Sequence, residues 1–191
     1  MRIIRPAHTS FLGFLFLGGV AVQVAILVGR SGAAANPVAP ESIVVGDTLV
    51  ALTGGSGEGS RDYVEIRTPS GAATVVYVFS STCAFCDDVA PDWAEHFRRP
   101  GTEHVRRVAI TRDGPQDAVE YAKRFGWDVR ILSMPDLAAT DRASSLLSRT
   151  PWLYVFDPEG VLRFEGHGSA LKRADEVAVD VAIPSSRRGR N

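Results

Sequence analysis

The chain has 191 residues, 45% hydrophobic and 23% charged, a balance that excludes a disordered or fibrous protein and suits one ordinary domain. A formal net charge of -1 gives no electrostatic reason to expect nucleic acid as a partner. Two cysteines are too few for a disulfide scaffold, so their meaning depends on how far apart they lie.

Residues 1–10 carry Arg2 and Arg5, and the uncharged run Phe11 to Val28 follows, with Gln23 as its one polar side chain. As a helix this run is roughly 27 Å long, against a hydrocarbon core of ~30 Å. It predicts a transmembrane signal-anchor at 11–28, with a cytoplasmic N-terminus at 1–10 and an exported body, because positive charge is in excess ahead of it. The same residues allow a cleaved secretory signal, for which Ala33, Ala34 and Ala35 supply a small-residue site. A helix buried in a soluble core fits less well, since the run is apolar on every face. Either export reading puts the body where disulfides persist.

Residues 29–42, rich in Gly, Ala, Pro and Ser, read as a linker. A single domain is expected at 43–183. Its first strands are predicted at Ile43–Leu52 and Tyr63–Arg67, separated by the stretch GGSGEG and followed by a turn at Pro69–Gly71. Thr74–Phe79, TVVYVF, has the β-branched and aromatic character of a strand buried on both faces. Ser80, Ser81 and Thr82 then lead into Cys83 and a helix at Ala84–Phe97, with Asp87 and Asp88 in its early turns. A strand at His104–Thr111 precedes a helix at Pro115–Phe125 that Gly126 ends. A short strand at Val129–Leu132 and a helix at Leu137–Leu147 come next. Trp152–Phe156 and Val161–Glu165 form a hairpin around Asp157-Pro158-Glu159-Gly160, and an amphipathic helix at Ala170–Ile183 closes the domain. Residues 184–191 are a polar tail whose arginines read as a solvated terminus. Strands alternating with helices and ending in a hairpin predict an α/β fold with a mixed central sheet flanked by helices, preceded by one transmembrane or signal helix.

In Cys83-Ala84-Phe85-Cys86 the thiols sit at i and i+3, on one face of a helix with Cβ atoms about 5–6 Å apart. A small adjustment brings them within disulfide reach. A bridge closing so short a loop stabilises by only about 2 kcal/mol, against about 3 kcal/mol for fifteen residues, so redox use explains the spacing better than stapling. At a helix N-terminus Cys83 faces unpaired N–H groups and the positive end of the dipole, which favour its thiolate as nucleophile. Cys86, one turn further in, would resolve the mixed disulfide. Other readings are half of a zinc site, for which His8, His96, His104 and His167 offer no pair at ligand spacing, and two inert buried cysteines.

Three ordered features resemble the thioredoxin superfamily, and more narrowly the membrane-anchored TlpA/ResA-type reductases, over about Ile43 to Ile183. They are the strand running directly into the motif in VVYVFSSTCAFC, Pro91 five residues after Cys86, and Thr150-Pro151 opening TPWLYVFDPEG. The resemblance implies a thioredoxin-like fold and catalytic Cys83 and Cys86. It also implies a cis Pro151 whose loop lies against the cysteines, and a Thr150 whose backbone binds substrate as an added strand would. Taken alone, Pro151 would be an ordinary trans proline, since X-Pro bonds are cis only about 5% of the time. Two departures stand out: Tyr77 occupies the place of the superfamily's buried strand acid, and Val89 that of the ResA-type glutamate. Asp87 and Asp88 are then the acids nearest Cys86 in sequence. They read as N-terminal helix charges, with proton acceptance as the alternative.

The resemblance implies a thiol-disulfide oxidoreductase without a cofactor. It would reduce disulfides in exported proteins, apocytochrome cysteines for example, and be kept reduced by a membrane thiol donor. An oxidase or isomerase would carry the same residues, since potentials in this superfamily span about 150 mV. A copper-carrying module, with His167 joining the two cysteines, is a reading of another class.

Overall fold

The computed structural model describes residues 42–55, 61–67, 71–99 and 104–182. The apolar run 11–28, most of the 29–42 linker and the 184–191 tail lie outside them. Among the described residues no helix is long and apolar enough to cross a membrane.

Seven strands form one sheet: β1 (Ala51–Gly55), β2 (Arg61–Glu65), β3 (Ala73–Val78), β4 (Val105–Thr111), β5 (Arg130–Ser133), β6 (Trp152–Phe156) and β7 (Leu162–His167). Their order is β2-β1-β5-β4-β3-β6-β7. Among the described residues three helices accompany them, α1 (Ala84–Arg98), α2 (Pro115–Phe125) and α3 (Leu171–Ala182), with a 3-10 helix at Arg142–Ser148. The sheet is mixed, as expected: β3, β4 and β5 run parallel, while β6 pairs antiparallel with β3 and β7 with β6.

All six residues of β3 are buried, which is why its sequence is a continuous apolar run rather than an alternating one. From β3 the chain steps through α1 to β4 and through α2 to β5, moving the same way across the sheet twice. Right-handed crossovers then put both helices on one face. There Val75, Tyr77 and Phe79 pack with Cys86, Val89, Ala90, Trp93 and Phe97 of α1, Tyr121 of α2 and Ala174 and Ala178 of α3. The intervening Val76 and Val78 point to the other face, covered by Ile43, Leu49 and the 3-10 helix through Leu146 and Leu147.

Several bounds follow the sequence closely. α2 begins at Pro115 in its first turn and ends at Gly126, whose φ of 67° lets its N–H close back on Lys123. β6 also has the predicted limits, α1 and β4 differ by one residue at one end, and β3, β5 and α3 differ by one residue at each end. β2 starts two residues earlier than predicted, at Arg61, and β7 runs to His167 rather than Glu165.

Two elements differ in kind. The strand predicted at Ile43–Leu52 begins only at Ala51, because Gly46 turns the chain with φ 103° and the Asp47 carboxylate accepts the Val44 N–H at 3.0 Å. It then continues through Gly54 and Gly55, predicted as loop. A Cβ at Gly54 would stand 2.8 Å from the Ser133 carbonyl oxygen, so glycine lets β1 lie against β5. The helix predicted at Leu137–Leu147 is replaced by the 3-10 helix. Asp141 caps it by accepting the Ala143 N–H at 2.8 Å, which delays the helical start past the apolar residues that suggested it.

Candidate active site

β3 delivers the chain to the motif through Phe79–Thr82, and Cys83 occupies the N-cap of α1 with φ -95° and ψ 111°. Its carbonyl accepts the N–H groups of Cys86 at 2.9 Å and Asp87 at 3.3 Å, so the helix starts at the cysteine itself. No side-chain oxygen caps this end, which leaves the sulfur beside the open N–H groups of the first turn. Both cysteines are free thiols, Cys83 partly exposed and Cys86 only 1% exposed.

Their environments push the two thiols apart. Burial opposes the Cys83 thiolate, but hydrogen bonds from Cys86 and Thr150 and from the N–H groups of Cys86 and Phe85 outweigh it and hold the thiol below the ordinary range. Burial pushes Cys86 up to about 12, helped by its hydrogen bond to Cys83 and only partly relieved by the Ser80 N–H.

The structure brings the Thr150-Pro151 loop to the cysteines. The peptide bond between them is cis, and the Thr150 carbonyl accepts from the Cys83 thiol at 3.8 Å. This loop is tied to α1 by two bonds that the sequence did not reveal. The Trp93 indole N–H donates to the Gly168 carbonyl at 2.8 Å, and the Gly168 N–H donates to the Pro151 carbonyl at 3.1 Å. Between the cysteines Phe85 is 70% exposed, the most exposed large apolar side chain among the described residues.

Tyr77 does not serve the cysteines as an acid in its place would. Its hydroxyl bonds His96 Nδ1 at 2.8 Å, toward the far end of α1, and His96 Nε2 bonds Asp175 of α3 at 2.8 Å. The three side chains join β3, α1 and α3. Asp87 is engaged by Arg124 at 2.6 Å, a pairing between α1 and α2 that fits its reading as a helix charge. His167, which the alternative copper-carrying reading would use as a third ligand, bonds Ser169 Oγ through Nδ1 at 3.0 Å. Among the described residues no three His, Cys, Asp or Glu side chains gather as metal ligands would.

No protein-family model and no curated protein matches the sequence. Solved structures do match. The thioredoxin domain of a thiol-disulfide oxidoreductase from Bacteroides vulgatus aligns with a TM-score of 0.56 at 19% identity, over 73% of this chain and 99% of that one. The fold is thioredoxin-like. A thiol:disulfide interchange protein of the thioredoxin family from Chlorobium tepidum TLS aligns at 0.54 and 15% identity, over 72% and 99% of the two chains. A peroxiredoxin-like protein from Aquifex aeolicus aligns at 0.56 and 13%, over 73% and 90%. At such identities the likeness concerns the fold, and the chemistry of this thioredoxin-like domain has to be argued from its own residues.

Proposed function

We propose that this chain is a thiol-disulfide oxidoreductase that reduces disulfides of exported proteins through Cys83 and Cys86, held at a membrane by residues 11–28. The observation that carries the reading is the asymmetry of the pair. One thiol is partly exposed at a helix N-terminus and favoured as thiolate, and the other is buried one turn away and held protonated.

In the first step the Cys83 thiolate attacks one sulfur of a substrate disulfide, forming a mixed disulfide and releasing the other substrate sulfur as a thiolate. Cys86 then loses its proton and attacks Cys83 Sγ, which breaks the mixed disulfide and frees the second substrate thiolate. The substrate gains two electrons and the pair becomes a disulfide, so a dithiol donor must reduce it for another turnover. The Thr150 carbonyl, already against Cys83, would accept a backbone N–H of the substrate and orient its disulfide. Apocytochrome cysteines are one substrate of this kind. The copper-carrying reading draws no support from His167, which is engaged with Ser169.

The test is trapping in cells followed by mass spectrometry of the adducts. Cys86→Ser should accumulate mixed disulfides through Cys83, Cys83→Ser should accumulate few, and either change should abolish reduction of insulin while the protein stays folded. Full insulin reduction by either variant would sink the assignment.

A further inference from the structure

Asp113 follows β4 and is anchored on three sides. Its N–H donates to Thr111 Oγ1 at 3.1 Å, and its carbonyl accepts from Ser133 Oγ at the end of β5. Both hydroxyl-bearing residues are buried, Thr111 at 0% exposure and Ser133 at 2%, and polar groups at such depth are kept only where they are bonded. They fix the backbone of Asp113 against the ends of two central strands. Its carboxylate then reaches across to the loop between β3 and α1, where Oδ1 accepts from Ser80 Oγ at 3.2 Å and Oδ2 from the Ser81 N–H at 2.5 Å.

That loop is the one that presents both sulfurs. The Ser80 carbonyl accepts the Cys83 N–H at 3.2 Å, and the Ser80 N–H favours the thiolate of Cys86. Negative charge must appear on Cys86 during resolution, at 1% exposure, so backbone N–H groups already fixed at the start of α1 lower the cost of forming it. A loop without a clamp would have to be ordered in each cycle.

We propose that Asp113 is a positioning residue for thiol-disulfide exchange: its carboxylate holds Ser80 and Ser81, and so fixes the loop that leads into Cys83 and the first turn of α1 while the resolving thiolate forms on Cys86. The inference rests on the exchange reading given above. Asp113 touches neither sulfur and acts through the loop.

A two-phase reaction separates the steps. When the reduced full-length chain meets the aromatic disulfide 5,5'-dithiobis(2-nitrobenzoate), attack by Cys83 releases one coloured thiolate. Resolution by Cys86 then releases a second and leaves the Cys83–Cys86 disulfide. Asp113→Ala should slow the second release by about tenfold near neutral pH, the change expected when one hydrogen bond to a developing charge is weakened. It should also move the pH midpoint of that phase upward and alter the first release much less. Asp113→Asn, which keeps one acceptor oxygen, should recover part of the rate, and it carries the test if the alanine variant does not fold. A second phase with unchanged rate and pH profile overturns the role of Asp113. So does equal slowing of both phases with the profile intact, which marks a purely structural loop staple. A wild-type protein that never releases the second thiolate overturns the exchange reading itself.

Discussion

Cys86 must ionise to finish the reaction, yet it is the thiol that burial holds at about 12, whereas Cys83 is held below the ordinary thiol value by donors at the start of α1. For a thiol, a depressed value means that the reactive anion is present at lower pH and a raised value that it appears only at higher pH. Alkylation of the reduced protein by iodoacetamide should therefore proceed at Cys83 with a midpoint below the free-thiol value of about 8.5. Cys86 should stay unmodified until the solution is strongly alkaline. Peptide mapping across a pH series checks both, and faster labelling of Cys86 would reverse the assigned roles. The spacing of the two cysteines made their pairing and asymmetry legible in the sequence, because both depend on positions three residues apart on one helix. The approach of Thr150 to Cys83, 67 residues away, was legible only through the family resemblance, and the tie between Trp93 and Gly168, 75 residues apart, was not legible at all, because a single sequence carries no record of which distant residues meet.

At the scale of elements, the helix that carries the nucleophile and the loop that faces it are joined through Gly168. A Cβ there would stand 2.7 Å from Pro151 Cβ and 2.9 Å from Trp93 Cζ2, closer than real contacts allow. Since Trp93 is fully buried and bonded, relief has to come from the Pro151 loop. Gly168→Ala should destabilise the domain by about 1–3 kcal/mol, the range for overpacking a filled core. Urea unfolding should show this as a lower midpoint with an unchanged slope. The first, Cys83-dependent phase of disulfide exchange should slow as well, because Thr150 moves off the sulfur. An unchanged midpoint would mean that the loop gives way freely and does not position the site. Local patterns explain which elements the sequence disclosed. β3 and β6 are apolar runs, and Pro115 and Gly126 mark both ends of α2. Where a polar side chain competes for the backbone, as Asp47 and Asp141 do, apolar spacing misplaced the start of regular structure.

For the whole molecule, the proposed function depends on where the domain works, and that rests on the sequence of residues 11–28 rather than on the described fold. A dithiol that must be reduced after each turnover gains from being held near its donor. On that reading a tether of about a dozen residues would keep the domain within a few tens of ångströms of the bilayer and raise its effective concentration there. The arginines ahead of the apolar run would keep the N-terminus on the cytoplasmic side and leave the cysteines on the exported side, where substrate disulfides form. The native chain should then sediment with membranes and resist extraction by alkaline carbonate, and an alkylating reagent that cannot cross the bilayer should reach Cys83 in intact spheroplasts. A chain beginning at Asn36 should be soluble and retain disulfide exchange, since the paired strands and both cysteines lie beyond that point. Recovery of the native protein wholly in the soluble exported fraction, with a new N-terminus near Ala35, would replace the anchor with a cleaved signal and leave the thiol chemistry untouched. Protection of Cys83 from the impermeant reagent would place the domain on the wrong side of the membrane for the substrates proposed.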